Sequence, residues 1–270
     1  MTMRSLEALR TADVVCAEDT RVTGKLLAAL DIQGVRLERL DENLVGERAG
    51  AIVERVAGGE TIVYCTDAGM PGVSDPGLRL VRAAREAGQP VEVLPGPTAV
   101  ATAYVASGCT NPAFYFGGFF PRKAGERAAV LKSLKALEAA LVFYESPNRL
   151  VSALECIAEV LPHRQVAVCR ELTKLHEEVV RGSVADVLAT FSERERAGGV
   201  KGEIVIVVDG PSDEERNADA LDARELAQQR AAELSAEGMR PKQVARALAD
   251  ELGIPRNEAY DLALAAKPQR

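Results

Sequence analysis

The sequence predicts an α/β fold of two domains, a mainly parallel sheet in the first and a mixed sheet in the second, followed by a small helical segment. Three observations lead there. Short apolar runs alternate with helix-period stretches up to about Ser107. Two of those runs feed directly into glycine- and proline-bearing loops, YCTDAGMPGVSDPG at Tyr64 to Gly77 and PGPT at Pro95 to Thr98. Turn residues then cluster at Gly108 to Pro112, and beyond them the strand-like runs lengthen and alternate better. The expected boundaries are 1–110, 111–210, a linker at 211–220 and a helical segment at 221–270.

In chain order, Ser5 to Thr11 reads as the tail of a helix and Val14 to Ala17 as a short buried strand. Glu18-Asp19-Thr20-Arg21 follows it, in the crevice position that open α/β sheets give to ligands. A helix cap by Asp19 or Thr20 ahead of Lys25 to Leu30 explains these residues equally well. Val35 to Leu40 is the next strand. Asn43 is expected to cap a long helix with Ala51, Ile52, Val53 and Val56 inward, ending at Gly58-Gly59. Thr61 to Val63 leads into the first long loop, Leu78 to Ala87 is helical, and Val91 to Leu94 is a strand feeding Pro95-Gly96-Pro97-Thr98 and a small-residue helix to Ser107. The chain starts on a helix, so a first strand and its loop are expected to be missing.

Ala113 to Phe120 (AFYFGGFF) carries five of the eleven Phe and Tyr residues. Core packing accounts for most of them, while Gly117 and Gly118 inside the strand suggest a bulge or a close approach. A helix from Gly125 to about Ala139, a strand at Ala140 to Tyr144 and a helix beginning at Glu145-Ser146-Pro147 come next. Strands at Gln165 to Cys169, Val179 to Arg181 and Glu203 to Val208 enclose a polar connector at Thr173 to Glu178 and a helix at Val184 to Phe191. The acidic, polar stretch Asp209 to Ala220 reads as a linker. Leu221 to Ala236, Pro241 to Leu252 and Pro255 to Ala265 are helical, with Gly253 at a turn resembling helix-turn-helix. Glu258 and Asp261 beside Arg256 make that last helix a poor DNA reader.

The first long loop holds three glycines, two prolines and two aspartates, which stop both strand and helix. Gly69 and Gly72 let backbone amides approach a ligand, and Asp67 and Asp75 can accept from hydroxyls or amines. An ordinary turn, with Asp75 capping the next helix and Pro76 at its first position, fits the same residues. Two such loops on one side of a parallel sheet make a composite, backbone-lined pocket suited to a nucleotide-like cofactor.

Composition narrows the class. Hydrophobic residues are 47% and charged residues 27%, ordinary for a globular protein. No apolar run of about eighteen residues exists, which argues against a membrane span, and the N-terminus lacks an apolar signal core, making cytoplasm the default. The five cysteines are scattered without C-x-x-C and only two histidines occur, so no metal site or disulfide framework is expected. A net charge of −7 disfavours a generic polyanion binder yet allows a local basic patch. Walker A, G-x-G-x-x-G, G-x-S-x-G and H-E-x-x-H patterns are absent, removing support for kinase, dehydrogenase, hydrolase and zinc-protease readings.

Taken together, CAEDTR at 16–21, DAGMPGVSDPG at 67–77, LPGPTAV at 94–100, GFFPRKAGER at 118–127, FYESPNR at 143–149, KLHEE with RG at 174–182 and KGEIVIVVDG at 201–210 form a specific combination. It resembles the ribosomal RNA small subunit methyltransferase I family of the tetrapyrrole methylase superfamily, over nearly the whole chain. The resemblance implies a two-domain tetrapyrrole methylase-like fold, usually a homodimer. It also implies S-adenosylmethionine between the domains and methylation of a cytidine 2′-hydroxyl in the decoding region of small-subunit ribosomal RNA. By that resemblance Asp67, Ala68, Gly69, Ser74, Asp75, Pro95, Gly96, Pro97 and Thr98 contact the cofactor, with Phe143 and Glu203 as further lining. Glu18, Asp19 and Glu145 are the candidates for a general base. Arg21 and Arg149 would orient the ribose or a phosphate, and Arg122, Lys123 and Arg127 would hold the RNA backbone; a solvated helix start accounts for the last three as well. The family's ATPIGNLGD-type loop before the first helix has no counterpart here, so a truncated start is expected. Rival readings keep the fold but change the acceptor to a porphyrin or diphthamide precursor, or make the protein an inactive ribosome-binding module. The acidic charge favours a folded 30S particle as partner over arbitrary RNA.

Overall fold

The computed structural model describes residues 1–67, 69–74 and 77–266, so Ala68 and Asp75 of the expected cofactor contacts lie outside the described residues. Its first unit, Met1–Gly210, opens with α1 (Met3–Thr11), β1 (Val14–Ala17), α2 (Thr20–Ala29), β2 (Arg36–Arg39), α3 (Glu42–Ala57) and β3 (Ile62–Cys65). The three strands are parallel in the order β2-β1-β3. All four residues of β1 are buried, as a continuous apolar strand covered on both faces should be. Val14 and Cys16 pack with Leu40, Val45 and Ile52, while Val15 packs with Leu9, Leu27 and Ile32 on the opposite face.

Aspartates start α2 and α3. Asp19 accepts the Arg21 amide at 2.8 Å, one of the two caps expected there. At α3 the cap is Asp41, which accepts from the Asn43 and Leu44 amides at 3.0 and 3.1 Å; this corrects the expectation of Asn43, which lies inside the first turn and supplies one of the amides to be capped.

After α4 (Gly77–Glu86) and before α5 (Ala99–Ala106) the chain is irregular. Val91–Leu94 was expected as a strand and is not one: among the described residues no strand pairs with it, and an unpaired apolar tetrapeptide has no ladder to hold it extended. Glu92 forms an ion pair with Arg4 instead.

The second sheet contains β4 (Phe114–Phe119), β5 (Ala140–Glu145), β6 (Gln165–Arg170), β7 (Glu178–Ser183) and β8 (Ile204–Val208). Interleaved with them are α6 (Ala124–Leu134), a short 3₁₀ turn at Pro147–Arg149, α7 (Leu150–Val160) and α8 (Val184–Arg196). Strand order is β4-β5-β8-β6-β7, parallel between β4 and β5 and antiparallel elsewhere, hence mixed as the sequence predicts. Period two splits its side chains. Leu141, Phe143, Val168 and Ile206 meet Leu131, Leu154, Ile157 and Phe191 of α6 to α8. Ala140, Val142, Ala167, Cys169 and Val207 meet Val100 and Ala103 of α5, with Val73 of the first loop packed on that cluster. The second sheet is therefore the floor on which the loops of the first sheet rest.

The second unit, Pro211–Arg270, holds α9 (Asp213–Ala236), α10 (Pro241–Leu252) and α11 (Arg256–Ala265). The polar stretch 211–220, expected as a linker, is helical from Asp213. Ser212 caps it by accepting the Glu215 amide at 3.1 Å, and three acidic residues in the first turn complement the helix dipole. Ala227, Ala231, Leu234, Val244, Leu248, Ala259 and Leu262 form its core. Gly253 ends α10 at φ 67°, a left-handed cap at the turn expected between the last two helices. No helix among the described residues is long and apolar enough to cross a membrane.

Candidate functional site

The loop after β3 and the irregular segment before α5 come together as one surface. The Met70 amide donates to the Pro97 carbonyl at 2.9 Å, and the Thr66 hydroxyl donates to the Gly69 carbonyl at 2.7 Å. Gly69 sits at φ +113°, where a Cβ would stand 2.6 Å from the Pro97 oxygen, so only glycine permits this junction. Gly96 faces Met70, with a Cβ position 3.9 Å from both its Cα and its sulfur. Ser74 adopts φ 66°, a left-handed conformation unusual for a side-chain-bearing residue and frequent at ligand loops.

The second sheet meets this surface at β4. Between Phe116 and Phe119 the register with β5 shifts, and Gly118 at φ 70° absorbs the irregularity. A Cβ at Gly118 would lie 3.9 Å from the Ser74 hydroxyl, and one at Gly117 would lie 2.3 Å from the Phe143 ring. Both sequence expectations for the glycine pair, a bulge and a close approach, are met. Exposed on the same surface are Asp67, Pro95, Gly96 and Pro97, with Thr98 partly buried at the start of α5.

At the ends of β1 and β3, Asp19 forms an ion pair with Arg21 at 2.6 Å, and the charge of Asp67 also acts on Arg21. The Arg21 guanidinium, and after it the Arg21 amide, hold the Asp19 carboxyl far below the usual carboxylate range. Asp19 is therefore a cap and an ion-pair partner, and a weak base. Glu18 follows β1, partly buried, its amide donating to the Cys65 carbonyl at 3.2 Å.

Glu145, at the end of β5, has a side chain 0% exposed. Its Oε1 accepts from the Ser146 amide and Arg149 Nε, both at 2.7 Å, while Oε2 has no hydrogen-bond partner among the described residues. Glu203 is mostly exposed and pairs with Lys174 at 2.9 Å; its neighbour Ile204 is opposite Glu145 in the β5–β8 ladder. Arg122 and Lys123 are exposed, Lys123 pairing with Glu126 at 3.0 Å.

Two expected site residues are corrected. Phe143 is 1% exposed and packs on Phe120 in the helix-covered core, because strand alternation turns Tyr144, not Phe143, toward the loops. Arg127 is 3% exposed and donates to the Pro121 carbonyl, the Arg122 carbonyl and the Ser152 hydroxyl, with its guanidinium over the Phe120 ring. Three of its five N–H donors are engaged inside the protein and its side chain is enclosed, so it does not offer the exposed RNA contact expected of it. Residues the sequence reading missed are Met70, Val73 and Tyr144. For Tyr144 the signal was available in the alternation of ALVFYE.

The chain matches known proteins along most of its length. Residues 1–188 match the family described as Tetrapyrrole (Corrin/Porphyrin) Methylases. Proteins named Ribosomal RNA small subunit methyltransferase I are similar. That of Mycobacterium tuberculosis (strain ATCC 25618 / H37Rv) is 49% identical over 77% of this chain and 72% of its own. That of Synechocystis sp. (strain ATCC 27184 / PCC 6803 / Kazusa) is 37% identical over 98% of this chain and 92% of its own. Among solved structures, the methyltransferase CobJ superposes with a TM-score of 0.59 at 20% identity, covering 78% of this chain and 88% of CobJ, a likeness of fold. The loops joined at Met70 and Pro97 on a mixed second sheet, together with these matches, place the chain in the tetrapyrrole methylase family, within the ribosomal RNA small subunit methyltransferase I group.

Proposed function

We infer that the protein transfers a methyl group from S-adenosylmethionine to the 2′-hydroxyl of a cytidine ribose in the decoding region of small-subunit ribosomal RNA, as a cytoplasmic homodimer acting on the assembled 30S particle. The observation that carries this reading is the joined loop surface. Gly69 and Gly96 leave backbone exposed where an adenosine-bearing donor can be held, and Asp67 offers a carboxylate to an ammonium group. The two sheets read as separate domains, 1–110 and 111–210, with the donor bound where the loops of the first meet the second.

S-adenosylmethionine supplies an already activated methyl, so the chain's own residues have two tasks: aligning the acceptor hydroxyl and dealing with its proton. Of the three candidate bases Asp19 is the poorest, since Arg21 holds it ionised and occupied. Glu145 keeps one buried oxygen uncommitted while the other positions Arg149. Glu18, at the end of β1, remains the alternative. Ser74, Pro95, Thr98 and Glu203 complete the proposed lining. Arg21, Arg122, Lys123 and Arg149 would meet phosphates. The net charge of −7 fits recognition of a folded particle better than binding to any RNA.

The test is methyl transfer from labelled S-adenosylmethionine to small ribosomal subunits lacking the modification, followed by nucleoside analysis. The expected product is labelled 2′-O-methylcytidine. Label on a base, or none with cofactor binding intact, overturns the acceptor assignment.

A further inference from the structure

The bulge in β4 redirects an aromatic ring into solvent beside the candidate site. Strict alternation would place Phe114, Phe116 and Gly118 on one face and Phe119 on the other. The register runs otherwise: Phe116 is opposite Val142 and Phe119 opposite Tyr144, three steps on β4 against two on β5. Phe119 thereby joins Phe116 on the face that carries Val73 and α5, and Phe120 turns into the opposite core. Both rings meet Tyr144 edge-on, Phe116 at 5.0 Å and Phe119 at 5.4 Å.

The two rings differ in burial. Phe116 is packed, whereas Phe119 is 62% exposed. Burying a phenylalanine ring stabilises the fold, and the bulge gives up much of that at Phe119. The position adjoins the cofactor loop through the approach of Gly118 to Ser74. Arg122 and Lys123 follow within the next few residues, both exposed. An open aromatic face next to cations is the chemistry that stacks a nucleobase while holding its phosphates.

Resting on the acceptor class argued above, we propose that Phe119 is the stacking platform for a nucleobase of the RNA acceptor strand, with Arg122 and Lys123 on the adjoining phosphates. Tyr144 braces the ring from its edge. The Gly117-Gly118 bulge exists to aim it.

The chain contains no tryptophan, so Phe119→Trp introduces a single indole reporter at the platform. At low KCl and high RNA concentration, where a free strand fills the site without the particle's folded context, titration with a single-stranded, cytidine-containing RNA decamer is expected to quench its emission saturably, with a midpoint that rises with KCl. Leu175→Trp, at an exposed position on the connector after β6, is the control and stays unquenched. With small subunits as substrate, Phe119→Ala raises KM by roughly 5- to 150-fold, the range of 1–3 kcal/mol per stacked base, and Phe119→Trp restores it. Calorimetric titration with S-adenosylmethionine shows that Phe119→Ala still folds. An unquenched Phe119→Trp, or an unchanged KM in Phe119→Ala while the parent protein is active, overturns the proposal. So does loss of self-association in Phe119→Ala with RNA affinity intact, which would assign the ring to an interface between copies. If the parent fails to methylate small subunits while the decamer still quenches Phe119→Trp, the acceptor reading fails and the stacking platform stands.

Discussion

The Met70 amide and the Pro97 carbonyl, 2.9 Å apart, join the loop after β3 to the segment before α5 as one surface. Gly69 makes the approach possible, because any Cβ there would meet the Pro97 oxygen at 2.6 Å. Gly69→Ala must break that hydrogen bond or move the loop, on top of a φ of +113° that strains an alanine by about 1–3 kcal/mol. Calorimetric titration should show at least a roughly tenfold weaker affinity for S-adenosylmethionine, equivalent to about 1.4 kcal/mol. Unchanged affinity would remove the joined loops from the cofactor site.

Much of this arrangement was legible in the sequence, and the parts that were not have physical causes. β1 is read from its short apolar run, and the loop after β3 from its glycines and prolines, although β3 keeps Tyr64 and Cys65 in the ladder and the loop starts two residues later than expected. The Met70–Pro97 contact depends on two loops distant in sequence and has no local signature. Phe143 was misassigned because a motif match carries no parity, although alternation along β5 already separates it from Tyr144. Arg127 was misread as part of a basic cluster, yet Arg127, Leu131 and Leu134 fall at helix spacing on the inward face of α6. Val91–Leu94 has strand composition but no strand beside it among the described residues, and strand formation depends on pairing more than on composition.

The contrast between Arg127 and Arg122 is directly measurable. Arg127→Ala strips donors from two carbonyls and the Ser152 hydroxyl and empties space beside Phe120. It should cost about 2–4 kcal/mol in urea unfolding, since hydrogen bonds from a charged group contribute roughly 1.5–3 kcal/mol and the side chain removed is itself enclosed. Arg122→Ala, at an exposed position, should change stability by less than about 0.5 kcal/mol while lowering the salt slope of RNA binding by about one. Equal stability losses would contradict the burial of Arg127.

Gly117 is a packing device with a steric test. An alanine methyl there would stand 2.3 Å from the Phe143 ring, and Phe143 lies in a filled core against Phe120. Gly117→Ala is expected to destabilise by about 1–3 kcal/mol, the usual cost of overpacking. The double variant Gly117→Ala with Phe143→Leu should recover part of that loss, because the smaller side chain vacates the methyl's position. If the two changes simply add, the contact is not what limits this position.

Acid stability should carry the signature of Glu178. Its carboxylate is held by Arg194 at 2.7 and 2.8 Å and by Arg170 at 3.1 Å, and these partners, Arg194 foremost, lower its pKa from the ordinary value. A carboxylate whose folded pKa is depressed binds its proton less readily folded than unfolded. Its stabilisation is therefore complete above the unfolded value of about 4.3 and disappears as pH falls through the lower folded value. Urea unfolding between pH 7 and pH 3 should show Glu178→Gln less stable than the parent at neutral pH. The gap should close as the pH drops below about 4.3, where the parent loses what the variant never had. Asp41 and Glu171, also held below their ordinary range, contribute to the acid limb of both proteins and cancel in the comparison. Curves that stay parallel across that window would mean that the Glu178 carboxylate is no better placed in the folded protein than in water.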